Sequence, residues 1–137
     1  MIRKTAKQLV AEAMAVVRTL PVDEARALHQ AAEALFVDLR DVRELEREGI
    51  VPGAVHAPRG MLEFWVDPTS PYFHKAFEGA QNGQTLVLFC AAGWRSALAT
   101  RVLLEMGFEQ ACHIEGGFKA WKDAGAPVGQ RTPRPAG

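Results

Sequence analysis

The chain has 137 residues, 48% of them hydrophobic, which is enough to bury one core and too few for two ordinary domains. Its 16 basic and 16 acidic residues balance and are scattered, which argues against a nucleic-acid or anionic-membrane surface and for small-molecule or protein partners. No apolar run approaches the roughly 20 residues needed to span a bilayer, and two cysteines are too few for a disulfide-stapled secreted scaffold, so a reduced, cytoplasmic setting is expected.

Arg3, Lys4 and Lys7 precede Leu9 and Val10, but Glu12 interrupts the apolar stretch a secretory signal would need. Leu9, Ala13, Val16, Val17 and Leu20 fall on one helical face, so residues 1–20 read as an amphipathic helix packed on or flanking a domain at 21–128. Pro21-Val22-Asp23-Glu24 opens a second helix that runs to Ala34, and Leu35 to Leu39 reads as a strand. A charged helix from Asp41 to Glu48 closes at Gly49, Pro52-Gly53 makes a turn, and Ala54 to Ala57 forms a short strand. Between Arg59 and Gln84, Pro68, Pro71, Gly79 and Gly83 punctuate one or two short helices joined by loops.

Thr85 to Phe89 is an apolar run of strand length, and Leu98, Val102 and Met106 recur at helical spacing beyond it. Ala111 to Ile114 gives another short strand, Gly116-Gly117 opens a last helix ending near Asp123, and Gly125 and Pro127 stop it. Residues 129–137 are expected to form a flexible tail. Strands alternating with helices predict an α/β fold: one domain with a mostly parallel central sheet of about five strands and helices on both faces.

In such folds ligands bind beyond the carboxyl ends of the strands, and there the chain places Phe89-Cys90-Ala91-Ala92-Gly93-Trp94-Arg95-Ser96. A cysteine at a strand end, facing a helix start across a short loop, meets backbone N–H groups and the positive end of a helix dipole, which favour the nucleophilic thiolate. Arg95 adds a planar donor fork for an anionic group. Gly93 lets the loop curl, Trp94 is expected to pack beneath it, and the Ser96 hydroxyl either donates to sulfur or caps the helix. Cys112 reads as strand packing, with a resolving role open if the two sulfurs can meet. Asp38 and Arg40 either pair near the loop or serve as helix cap and solvated side chain. Arg59, Phe64 and Trp65 are candidates for the rim of the same crevice. His56, His74 and His113 show no metal-ligand spacing with one another or with the cysteines, so neither a metal nor another cofactor is expected.

Four segments together resemble a single-domain rhodanese, the sulfurtransferase family. Val37-Asp38-Leu39-Arg40-Asp41 is similar to the family's first strand end, and Gly49-Ile50-Val51-Pro52-Gly53-Ala54-Val55-His56-Ala57-Pro58 to its glycine-histidine-isoleucine-proline-glycine-alanine segment, with Ile50 where histidine is usual. Cys90 to Ser96 resembles the active-site loop, and Gly116-Gly117-Phe118-Lys119-Ala120-Trp121 with Gly125-Ala126-Pro127-Val128 the closing segment. The resemblance implies that Cys90 takes sulfane sulfur from a small donor as a persulfide and passes it to a thiol or similar nucleophile. Ala91, Ala92, Gly93, Trp94, Arg95 and Ser96 would form the loop that binds it. Ala91 and Ala92 stand where thiosulfate-using members often carry a basic residue, and the loop lacks the form typical of mercaptopyruvate-using members.

The resemblance leaves three other readings. The domain could carry or sense persulfide between protein partners, it could be a non-catalytic interaction module, or it could be a cysteine-dependent phosphatase or arsenate reductase. Retention of Cys90, Gly93 and Arg95 argues against the non-catalytic module. Phosphatases that share the fold place one residue more between cysteine and arginine than Ala91 to Trp94 supply, and they carry histidine where this chain has Phe89.

Overall fold

The computed structural model describes residues 1–132. In chain order the elements are α1 (Ala6–Met14), β1 (Arg18–Leu20), α2 (Val22–Gln30), β2 (Ala34–Asp38), α3 (Val42–Glu48), β3 (Val55–His56), α4 (Leu62–Val66), β4 (Thr85–Phe89), α5 (Trp94–Met106), β5 (Ala111–Ile114) and α6 (Gly117–Asp123). Single-turn and longer 3-10 segments, Arg59–Met61 and Lys75–Asn82, flank α4. The five strands lie in the order β1-β5-β4-β2-β3, and every strand pair is parallel. This is the α/β sheet that the alternation of elements predicts.

Alternation along β4 shows how the core divides. Leu86 and Leu88 face one side with Leu62, Val66, Phe77 and Leu103, beneath α4, the 3-10 segment and α5. Val87 and Phe89 face the other with Ala25, Phe118 and Trp121, beneath α2 and α6. On β5 the same rule sends Cys112 and Ile114 toward α6, while His113 turns toward α5. Val10 and Ala13 of α1 close on Ala97 of α5, so the N-terminal helix packs outside α5.

The N-terminal helix is shorter than its periodicity predicts. It ends at Met14, and Arg18–Leu20 form the edge strand β1, in register with Cys112 to Ile114. Val17 and Leu20 are buried as expected, but Leu9 and Val16 are 40% and 61% exposed, because the strand interrupts the single helical face. Gly129, where the tail was expected to begin, exchanges backbone hydrogen bonds with Ile50, and Arg131 pairs with Glu46 at 3.0 Å. Residues 133–137 lie outside the described residues.

Two charges are locked into this core. Arg40 donates to both carboxylate oxygens of Asp38, at 2.9 and 2.6 Å, and to the Gly49 carbonyl at 2.9 Å. Its guanidinium lies 4.1 Å from the Phe118 ring centre, and both members of the pair are at most 2% exposed. The cap of α3 is Asp41, not Asp38, with Glu44 completing the box. Asp38→Ala would leave the Arg40 charge buried and unpaired, and should cost about 3–5 kcal/mol in urea denaturation.

Candidate active site

β4 delivers the chain to Cys90, which is 1% exposed, and α5 begins four residues later. Gly93, at φ 111°, caps α5 in a conformation that L side chains rarely adopt. The turn aims the Gly93 N–H at the Cys90 sulfur, 3.1 Å away, and the first turn of α5 brings the Ser96 N–H to 3.4 Å. The sulfur thus sits at the N-terminal, positive end of a 13-residue helix, where two backbone N–H groups converge on it.

The opposite side of the loop is fixed separately. Phe118 N–H donates to the Cys90 carbonyl at 2.8 Å and Lys119 N–H to the Ala91 carbonyl at 3.1 Å, so the first turn of α6 holds the loop's backbone oxygens. Only glycine permits this approach at position 117. A Cβ there would lie 2.5 Å from the Cys90 oxygen and 2.7 Å from the Ala91 oxygen, and φ is +62°.

Behind the sulfur, the buried Ser96 hydroxyl lies 3.6 Å from Cys90 Sγ, 3.2 Å from the Gly93 carbonyl and 2.9 Å from His113 Nδ1. Ser96 therefore caps nothing; Gly93 holds the cap position. Burial pushes His113 down to about 4, so its imidazole is neutral around pH 7. On the far side of β5, Cys112 donates its S–H to the Leu86 carbonyl at 3.4 Å, and burial pushes its thiol up to about 11. Cys112 is thereby kept in its unreactive form.

Arg95 is engaged by Glu44 through two hydrogen bonds of 2.8 and 3.0 Å. That bonding holds the Glu44 carboxyl below its ordinary range and raises Arg95. Glu44 also accepts the Asp41 N–H as the last member of the α3 capping box, so one carboxylate ties the start of α3 to the loop. The sequence pattern alone assigns no function to Glu44 or His113. The Asp41-to-Glu44 spacing and a histidine inside a four-residue buried strand were the available signals.

Two cavities flank the loop. The larger, about 440 Å³, is lined by Ala91, Arg40, Glu44, Phe118, Lys119 and Lys122, among others. The smaller, about 190 Å³, lies between α1 and the loop, walled by Val10, Met14, Ala92, Gly93, Trp94 and His113. Trp94, expected to pack beneath the loop, is instead 55% exposed, because at the first position of α5 its ring projects over the surface beside α1. Arg59 pairs with Glu63 at 2.7 Å and lines neither cavity, Phe64 is exposed against Tyr72, and Trp65 stacks on His74. Among the described residues no cluster of histidine, cysteine and carboxylate side chains could hold a metal ion.

A parallel five-stranded sheet with a cysteine loop between β4 and α5 belongs to a recognised class: residues 21–124 match the rhodanese-like domain model, and the chain belongs to that family. Among solved structures it is similar to a Rhodopseudomonas palustris protein of unknown function described as a possible tyrosine phosphatase. That pair shares 45% identity and a TM-score of 0.87 over 93% of this chain and 96% of that one. It is also similar to the polysulfide-sulfur transferase homodimer of Wolinella succinogenes, at 30% identity and a TM-score of 0.71 over 92% and 88%. Among curated proteins it is 26% identical to the thiosulfate sulfurtransferase GlpE of Vibrio cholerae, over 80% of this chain and 92% of that one. It spans 92% of that protein's length and 64% of the length of the mouse thiosulfate sulfurtransferase/rhodanese-like domain-containing protein 3, to which it is also 26% identical.

Two measurements test this geometry. Gly117→Ala should lower stability by about 1–3 kcal/mol in thermal unfolding and slow alkylation of Cys90, because the added carbon displaces the loop carbonyls. The unfolded imidazole titrates near 6.5 and folded His113 near 4. Between those values the unfolded chain binds the extra proton, so stability falls as pH drops. Denaturation at pH 7 and pH 5 should show about 2 kcal/mol more loss in the parent than in His113→Asn.

Proposed function

We propose that the protein transfers sulfane sulfur through a persulfide on Cys90. The observation that carries this reading is the convergence of the Gly93 and Ser96 N–H groups on one buried sulfur. The Cys90 thiolate attacks the outer sulfur of a thiosulfate-like or persulfide donor. A new S–S bond forms, the donor's own bond to that sulfur breaks, and the remainder departs with the electron pair. An acceptor thiolate then attacks the terminal sulfur and leaves with it, and Cys90 returns as thiolate. The negative charge stays on the cysteine or one atom beyond it throughout, so fixed backbone dipoles stabilise every stage without reorganising.

Arg95 braces the loop through Glu44, so a donor meets backbone N–H groups and paired side chains. In the larger cavity Lys119 pairs with Asp123 and Lys122 lies near Glu48, which leaves room for an anionic donor of modest charge. Names among the relatives support sulfur transfer, from thiosulfate in one and polysulfide in another. The phosphatase description of the 45% identical relative is the competing reading. Four residues between Cys90 and Arg95, with Phe89 before the cysteine, make a narrower cradle than a phosphate ester needs.

One observation favours a protein acceptor over a small one: Trp94 presents an exposed aromatic face beside the loop. Incubation with thiosulfate, mercaptopyruvate or glutathione persulfide should add the mass of one sulfur atom to the intact protein. Cys90→Ser should abolish the gain and Cys112→Ser preserve it. If none of the donors adds mass while p-nitrophenyl phosphate is hydrolysed, the phosphatase reading replaces this one. Trp94→Ala should leave loading intact and slow unloading only to a protein acceptor.

A further inference from the structure

The N-terminal strand β1 precedes the stretch that matches the family model, yet one of its side chains reaches the site. Thr19 stands opposite His113 in the β1–β5 register, with its Oγ1 3.0 Å from His113 Nε2. His113 Nδ1 lies 2.9 Å from Ser96 Oγ, and Ser96 Oγ 3.6 Å from the Cys90 sulfur. Ser96 and His113 are at most 1% exposed, and Thr19 is half-buried. Three elements, β1, β5 and α5, thus supply an unbroken polar line that ends on the nucleophile.

The donors in this line are limited. A neutral imidazole carries one N–H, and a hydroxyl one hydrogen. Ser96 has three acceptors within reach: the Gly93 carbonyl, His113 Nδ1 and the sulfur. If Nδ1 is unprotonated it takes the Ser96 hydrogen. If Nδ1 carries the hydrogen it donates to Ser96 Oγ instead, and the serine hydrogen is released toward the charged sulfur, a stronger acceptor than a carbonyl. That second tautomer requires a donor at Nε2, and the Thr19 hydroxyl is placed to be that donor.

We propose that His113, held by Thr19, is a positioning residue that turns the Ser96 hydroxyl onto the Cys90 sulfur and so adds a third donor to the thiolate and persulfide cradle. The proposal rests on the reading of Cys90 as the reactive thiol. The depressed titration of His113 is consistent with it, since only the neutral ring has two tautomers. When Cys90 is a thiol the same line runs in reverse. The S–H donates to Ser96 Oγ, Ser96 to Nδ1, and Nε2–H to Thr19, whose hydroxyl turns toward Met14 Sδ at 3.9 Å. Ionisation releases the thiol proton to solvent and flips the line.

The test is the pH profile of iodoacetamide alkylation of the full chain in a Cys112→Ser background, where Cys90 is the one thiol. The charged side chains bordering the loop, Arg95, Glu44, Glu115, Arg40, Lys119 and Lys122 among them, are common to all variants, so the comparison isolates the hydroxyl. Thr19→Val keeps the side-chain shape and removes the hydroxyl. It should displace the profile to higher pH, slowing alkylation on the rising limb of the profile about threefold per unit of displacement, since the thiolate fraction there falls about tenfold while its nucleophilicity rises. His113→Leu should do the same. Thr19→Ser and His113→Asn, whose amide supplies a donor at the Nδ1 position, should restore the parent profile. In Ser96→Ala neither change should have further effect. Parent-like profiles for Thr19→Val and His113→Leu, or equal displacements in Ser96→Ala, would overturn the proposal. Alkylation needs no sulfur donor, so failure of sulfur loading and failure of this line are separately visible.

Discussion

Everything at the site depends on where the loop carbonyls point. A peptide's N–H and C=O face opposite ways, so a loop can aim N–H groups inward at an anion only if donors elsewhere meet its outward oxygens. Here the first turn of α6 supplies the donors for the first two peptides of the loop: Phe118 and Lys119 N–H hold the Cys90 and Ala91 oxygens, and Gly117 admits the contact. The loop so anchored turns at Gly93 to bring the Gly93 N–H to the sulfur. The ring of Phe118 continues into the core as the surface on which Arg40 rests, and Arg40 reaches back to Asp38 at the end of β2 and to Gly49 after α3. Loop direction, helix docking and the buried ion pair are therefore one connected arrangement across the ends of β2 and β4.

The two arginines near the loop divide the electrostatic work. Arg40 is sealed from water and its charge is matched by Asp38, so it serves geometry. Arg95 is partly exposed and paired first with Glu44, so it closes the loop against α3 while its guanidinium also lies within electrostatic reach of the sulfur. The groups closest to Cys90 Sγ are dipoles, two backbone N–H groups and a serine hydroxyl, with the Arg95 guanidinium near enough to be raised in part by the sulfur. Dipoles suit a nucleophile whose charge must move outward by one atom and return, because they stabilise it without trapping it in a salt bridge.

The residues that carried the fold in sequence were those whose pattern matched a single local cause. Leu35 to Leu39 and Thr85 to Phe89 are apolar runs of strand length, and both form strands in the sheet's interior. Arg18-Thr19-Leu20 failed this test, since three residues give no alternation, and Val16, Val17 and Leu20 continue the helical spacing before them. Its strand state comes from β5, more than ninety positions away, which no local window contains. The cysteine loop was legible because chemistry restricts its residues. Glu44, His113 and the outward turn of Trp94 were not, because each owes its role to an element brought beside it by the fold: Glu44 to α5, His113 to β1 and Ser96, Trp94 to α1.

The β1–β5 pairing also sets a schedule for the chain's assembly. Within the sheet, β1 comes first in chain order and its partner β5 comes last, so β1 waits unpaired while the strands between them are made. Central strands β2 and β4 can join while that edge is still open, since pairings with large sequence separation bear the greater loop-closure entropy. Thr19, His113 and the α6 turn over the loop are set in place only when the C-terminal third arrives. A nascent chain that lacks α6 therefore holds Cys90 at the end of β4 with the Cys90 and Ala91 oxygens unheld, so maturation of the thiol is tied to the synthesis of β5 and α6.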